Sequence, residues 1–147
     1  MLTLISEGLE PLGEDALTLH RSTFVSELRA SFPGVEPWLA GYRDNLTLEM
    51  MRFRHFTEDA IARGDLVTVR KAFAFLLRAF ETGNRQVRNS VVVSFLEHLV
   101  FSGSNGQAAE QLLPKALAAE RERMLAMFRQ LEERPRKRSR RVTPRRR

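Results

Sequence analysis

Ser90, Ser94, Glu97 and His98 are the residues whose types and spacing could do chemistry, and all four lie in one stretch, VRNSVVVSFLEHL (residues 87–99). A serine beside a histidine and a carboxylate is the raw material of nucleophilic acyl transfer, with the base taking the hydroxyl proton. On an α-helix of 3.6 residues per turn, however, His98 lies about 100° around the axis from Glu97 and about 40° from Ser94. A mid-helix hydroxyl also lacks the sharp turn and oxyanion donors that acyl transfer uses. Ser90, Ser94 and Glu97 fall instead on one row at i, i+4 and i+7, apart from the apolar row of Val87, Val91, Phe95 and Leu99. The spacing therefore predicts a wet helical face, usable by a partner, with Arg88 beside it and no catalytic residue.

Other chemistry is sparse. His20, His55 and His98 stand on three separate segments, without HExxH or paired-carboxylate spacing, so no metal site is expected. The glycines of SGSNG (102–106) lack the lysine and preceding strand of a phosphate-binding loop, so no nucleotide cofactor is expected either. The chain has no cysteine, which removes disulfides and thiolate chemistry and fits a reducing, cytoplasmic setting. No apolar run approaches the roughly 18 residues of a membrane span, and the acidic start MLTLISEGLEPLGED does not resemble a secretory signal. Met50, Met51, Met124 and Met127 suit a role as core filler.

The elements that must hold these residues are helical. At 147 residues the chain has the length of one domain. Residues 1–13, with Gly8, Pro11 and Gly13, read as a loose leader, and 14–133 as a helical domain. A helix is expected from about Asp15 to Ser31, stopped by Phe32-Pro33-Gly34, with Trp38 and Leu39 tucked onto the body. Asn45 caps a second helix that ends at Gly64, and Asp65 caps a third whose stripe is Leu66, Val69, Phe73, Leu76 and Phe80. After Gly83-Asn84 a fourth runs over about 86–101. The last covers about 107–133, with a fresh start at Pro114 and an apolar side of Leu113, Leu117, Met124, Phe128 and Leu131. No strand-like alternation persists beyond ALTLH at 16–20. The fold class is all-α: a compact bundle of about five helices, in which the pair at 65–101 has the look of a HEAT or armadillo unit.

Charge divides the chain in two. Residues 134–147, RPRKRSRRVTPRRR, hold nine of its 24 basic residues and no acid; the remaining 15 basic against 18 acidic residues leave the body at −3. Such a tail is expected to be disordered in isolation and to attract polyanions in a salt-sensitive way through Arg134, Arg136, Lys137, Arg138, Arg140, Arg141, Arg145, Arg146 and Arg147. It has no aromatic residue for base stacking, so contact with nucleic acid would be nonspecific.

The run from FPGVEPWLAGYRDN through GDLVTVRKAFAFLLRAFETGNRQVRNSVVVSFLEHL to LLPKAL resembles a bacterial family of small helical domains of unknown function. Phe32, Pro33, Val87, Asn89, Val93, Ser94, Phe95, Leu96, Glu97 and Leu99 carry the likeness, over about residues 24–117. The resemblance implies no chemistry. It implies, through neighbours that look like polymorphic-toxin immunity proteins, a partner that is another protein, such as a toxin domain. Together these readings give a non-enzymatic binding module using a face near Arg88, Ser90, Ser94 and Glu97, with nucleic-acid attachment by the tail as the alternative.

Overall fold

The structure, a computed structural model, describes residues 20–41 and 45–133. The expected leader, the first residues of the domain, and the basic tail at 134–147 lie outside the described residues.

All of the regular structure described is helical: α1 (Arg21–Ser31), α2 (Glu36–Leu39), α3 (Leu46–Arg63), α4 (Leu66–Thr82), α5 (Arg85–Ser90), α6 (Gly106–Glu110) and α7 (Lys115–Glu133). A 3-10 turn at Pro33–Val35 precedes α2, and a π segment, Val91–Leu96, continues α5. The protein is a compact all-α fold, as its periodicity predicts.

The caps set the boundaries. Asn45 accepts the Leu48 amide at 3.1 Å, Asp65 accepts that of Thr68 at 3.2 Å, and Asn84 accepts that of Val87 at 2.9 Å. Each satisfies one of the amides a helix start leaves unpaired. The hydroxyl and amide of Thr68 hold the Asp65 carboxyl below its ordinary range. Gly64, at φ 76°, takes the left-handed step that ends α3, and the Asp65 amide folds back to Ala60 O at 2.9 Å. Gly83 is required by space: a Cβ there would sit 2.4 Å from Ala79 O.

Three boundaries depart from expectation. The first helix starts at Arg21 rather than near Asp15, because His20 has an extended backbone (φ −94°, ψ 169°). The last is two helices, since the chain turns between Glu110 and Lys115 around Pro114. The fourth stops at Leu96 and is α only as far as Ser90. Its second half carries Val91-Val92-Val93, three β-branched residues in a row that crowd an α-helix. The Glu97 amide there reaches back five residues to Val92 O at 2.9 Å.

α3 is the hub, packing against α2, α4, α5, the π segment and α6. Phe53, fully buried at its middle, meets the rings of Phe32, Phe56, Phe75 and Phe95 at centroid distances of 5.4–6.2 Å. Aromatic contacts of this kind add to the apolar area each ring buries. α4 and α5 do follow one another across the Gly83–Asn84 turn, but the π segment packs chiefly on α3. The core is thus organised around one central helix rather than around a repeat-like pair.

Two polar arrangements on α3 fasten its neighbours. Arg52 donates through Nε to Trp38 O and through Nη1 to His55 Nδ1, both at 2.9 Å, with its guanidinium 5.2 Å from the Trp38 ring centre. This fixes α2 on α3. Two residues on, Arg54 donates to Ser94 O and His98 O at 3.3 Å and to Glu58 at 3.1 Å. Glu58 Oε2 in turn accepts the Val100 amide at 3.0 Å. The pair supplies partners to backbone groups that the end of the π segment would otherwise leave unpaired.

Arg54→Met is therefore expected to destabilise the protein by about 2–4 kcal/mol in urea unfolding, because it strands those carbonyls and the Glu58 carboxylate. Arg63→Met, which breaks an exposed pair with Asp59 on the same helix, should have little effect; equal losses in the two variants would contradict the role given to Arg54. His55 supplies a second expectation. Burial, followed by the charges of Arg54 and Arg52, lowers its pKa from 6.5. Unfolding therefore takes up a proton near that value, so the contribution is complete above about pH 6.5 and is lost as pH falls through the lower folded value. Between about pH 7.5 and about pH 5.5 stability should fall less in His55→Gln, which keeps an acceptor for Arg52, than in the native chain; identical slopes would refute the coupling.

Candidate functional site

The outer side of α5 and the π segment carries the candidate site, and its geometry corrects the expected polar row. Ser90 and Ser94 are buried, at 6% and 7% exposure. Glu97 is half-buried, and only Arg88 of the four expected residues stands fully in solvent. The cause is the neighbouring helices: α3 packs against α5 and the π segment, and α1 against α5, so the row is covered at Ser90 and Ser94. Val93 takes the outward place, 40% exposed.

Three shallow recesses run along this side. The first, about 350 Å³, lies between α5 and α7 and is lined by Phe80, Arg85, Arg88, Asn89, Val92 and Glu120. The Arg88 guanidinium lies 5.4 Å from the Phe80 ring centre there, so an apolar base and a held cation form one wall. The second, about 370 Å³, reaches the start of α3; Thr47, Gln86, Asn89, Ser90, Val93 and Ser94 are among its lining. The third, about 320 Å³, is bounded by Thr47, Met51, Arg54, Val93, Ser94 and His98. Asn89 is common to the first two, and Thr47, Val93 and Ser94 to the last two, so the recesses form one strip.

Each lining residue owes its place to the caps and clamp described above. The Asn84 cap starts α5 at Arg85 and aims Arg88 and Asn89 outward; the Asn45 cap starts α3 and sets Thr47 at the strip's centre. The Arg54 bond to Ser94 O holds the π turn against α3. Ser90 Oγ, buried at the floor, has no hydrogen-bond partner. His98, 56% exposed, places Nε2 3.5 Å from Glu97 Oε2 at the far end. The structure thus brings Arg88, Ser90 and Ser94 onto one strip but sets Glu97 at its margin.

Sequence reasoning missed Val93, Asn89, Thr47 and Met51 as surface residues of this strip. Asn89 and Val93 belong to the resembling motif, which was the one signal available for them. Thr47 and Met51 gave none, because only tertiary packing brings α3 beside the π segment.

Among the described residues, no group of three His, Asp or Glu side chains could hold a metal ion, and no helix is long and apolar enough to cross a membrane. No curated protein and no solved structure matches the chain. A family of domains of unknown function, DUF7674, matches residues 25–129, a span from α1 almost to the end of α7. It contains every lining residue of the strip except Arg21, and its description names neither a reaction nor a partner. The chain belongs to this family, DUF7674, a domain of unknown function.

Proposed function

We propose that this domain is a non-enzymatic binding module whose partner is another protein, seated along the strip formed by α5, the π segment and the start of α3. The observation that carries the reading is Val93, an exposed valine set between two recesses and framed by Asn89, Gln86, Thr47 and Met51. An apolar anchor in a shaped surface with a polar rim is the anatomy of a protein interface. Arg88 contributes a cation already held over Phe80, which lowers the ordering cost of using it. Ser90 and Ser94 act as floor and Glu97 with His98 as one end. The reading is non-enzymatic because Ser90 Oγ has no base to activate it. Occlusion of a toxin domain, in the manner of an immunity protein, is the biological form we propose for this binding; its support is the motif resemblance.

A second reading rests on the nine basic residues between Arg134 and Arg147. In it the tail attaches the domain to nucleic acid through phosphate contacts alone.

The first reading is tested with a photo-crosslinking amino acid placed at position 93 and, as control, at Val67, which is 72% exposed on α4. In native host cells a discrete protein adduct is expected at 93 and none at 67. The partner so identified, once purified, should bind Val93→Arg at least about tenfold more weakly than the native domain. No adduct at 93, the same adduct at both positions, or unchanged affinity would overturn the reading. For the tail, a gel-shift series in stepped salt should show binding by the full chain that weakens as salt rises and vanishes on deleting 134–147; equal binding by the truncated chain would dismiss it.

A further inference from the structure

The face of α7 that enters the core outruns the body. Leu117 is fully buried, and Ala118 is the last residue of the helix to pack against the core cluster. Met124 and Leu131 lie seven and fourteen residues beyond Leu117, on almost the same line of the helix. Leu131 is nevertheless 54% exposed, Met127 beside that line is 45% exposed, and Met124 and Phe128 are half-buried. The sequence suggested Met124, Met127, Phe128 and Leu131 as core filler or apolar side, but in the structure none of them joins the core. A helix of 19 residues, about 28 Å long, thus carries its apolar stripe about 20 Å past its last fully buried residue.

We infer that this stripe is a self-association surface, on which α7 of a second copy of the chain docks antiparallel about a two-fold axis. The stripe has the required symmetry. An isologous contact needs a patch that maps onto itself when reversed. Reversal about the midpoint between Met127 and Phe128 sets Met124 against Leu131 of the second copy. Met127 and Phe128 then each lie beside their own counterparts. Charge selects the direction. In the antiparallel arrangement residues on the same flank meet; on one flank Arg121 is already held within its own chain by Leu99 O, Glu110 and the Phe101 ring. On the other flank Glu120 approaches the end of the opposing helix, from which nine basic residues follow in sequence. A parallel arrangement would instead bring two basic tails together, a like-charge contact that disfavours it. A contact of four side chains from each copy is expected to be weak, with a dissociation constant on the order of 10–100 μM. This surface meets the strip around Val93 only at Glu120 and does not depend on the reading given to that strip.

The chain contains no cysteine, so single cysteines report the geometry cleanly. The full chain is studied by sedimentation equilibrium up to about 1 mM, a range spanning the expected dissociation constant. Met127→Cys, Leu131→Cys and Met124→Cys are treated with a short bismaleimide. A concentration-dependent dimer is expected, with Met127→Cys joining to itself and Leu131→Cys joining to Met124→Cys in a mixture but not to itself. Met127→Glu, checked for unchanged helix content by circular dichroism, should raise the dissociation constant at least about tenfold. A chain that stays monomeric across the range would overturn the proposal and leave the stripe to another segment of the same chain or to a foreign helix. Leu131→Cys joining to itself, or a dimer indifferent to Met127→Glu, would overturn it as well.

Discussion

The Arg54–Glu58 pair is the interaction on which the candidate surface depends. Arg54 is 12% exposed and Glu58 22% exposed, so the pair is largely withdrawn from water, where a charge is costly unless fully bonded. The structure meets that demand with backbone: Ser94 O and His98 O accept from the guanidinium, and the Val100 amide donates to the carboxylate. The same contacts give an unusual turn its missing partners. A π segment leaves its terminal groups as exposed as an α-helix does, and here one ion pair from a neighbouring helix covers both kinds, donor and acceptor. The arrangement couples the stability of α3 to the shape of residues 91–100.

That shape decides what the surface offers. Beside α3, Ser90 and Ser94 are buried and Val93 faces outward, so the two serines become a floor and a valine becomes the tip. The strip then has apolar, cationic and amide character within a short distance, from Arg88 over Phe80 to Met51 beside His98. π turns occur mostly where function has kept a local distortion, and membership of the DUF7674 family places the whole device within the matched span. α7 contributes to one end of the strip through Glu120 and leaves its own apolar face beyond the body. The domain thus has two distinct surfaces.

Much of the scaffold was legible in the sequence because its signals are local. Asn45, Asp65 and Asn84 announce helix starts by side chains that bond an amide three residues on, and Gly64 ends α3 by the one backbone step that favours glycine. Pro114 marked a restart and the structure has one. The candidate site was legible only in part. The residues read as a polar row do share the fourth helix, but a helical period cannot show that α1 and α3 pack over Ser90 and Ser94. Three consecutive valines hint at the π turn without fixing its register. Arg54 and Glu58 have the i,i+4 spacing of an ordinary surface pair, and nothing local says that a segment some forty residues away will land on them. Leu131 and Met127 read as core because periodicity shows which side of a helix is apolar, not whether the body extends far enough to cover it.

The central claim is that residues 91–97 follow i→i+5 bonding, a turn whose end the Arg54–Glu58 pair holds against α3. Scalar couplings transmitted through backbone hydrogen bonds read that register directly in solution. The Glu97 amide nitrogen should couple to the carbonyl carbon of Val92. A coupling to the carbonyl carbon of Val93 in its place would mean an ordinary α-helix. The turn whose end Arg54 and Glu58 bind would then close in another register, and the contacts described for residues 94–100 would not hold.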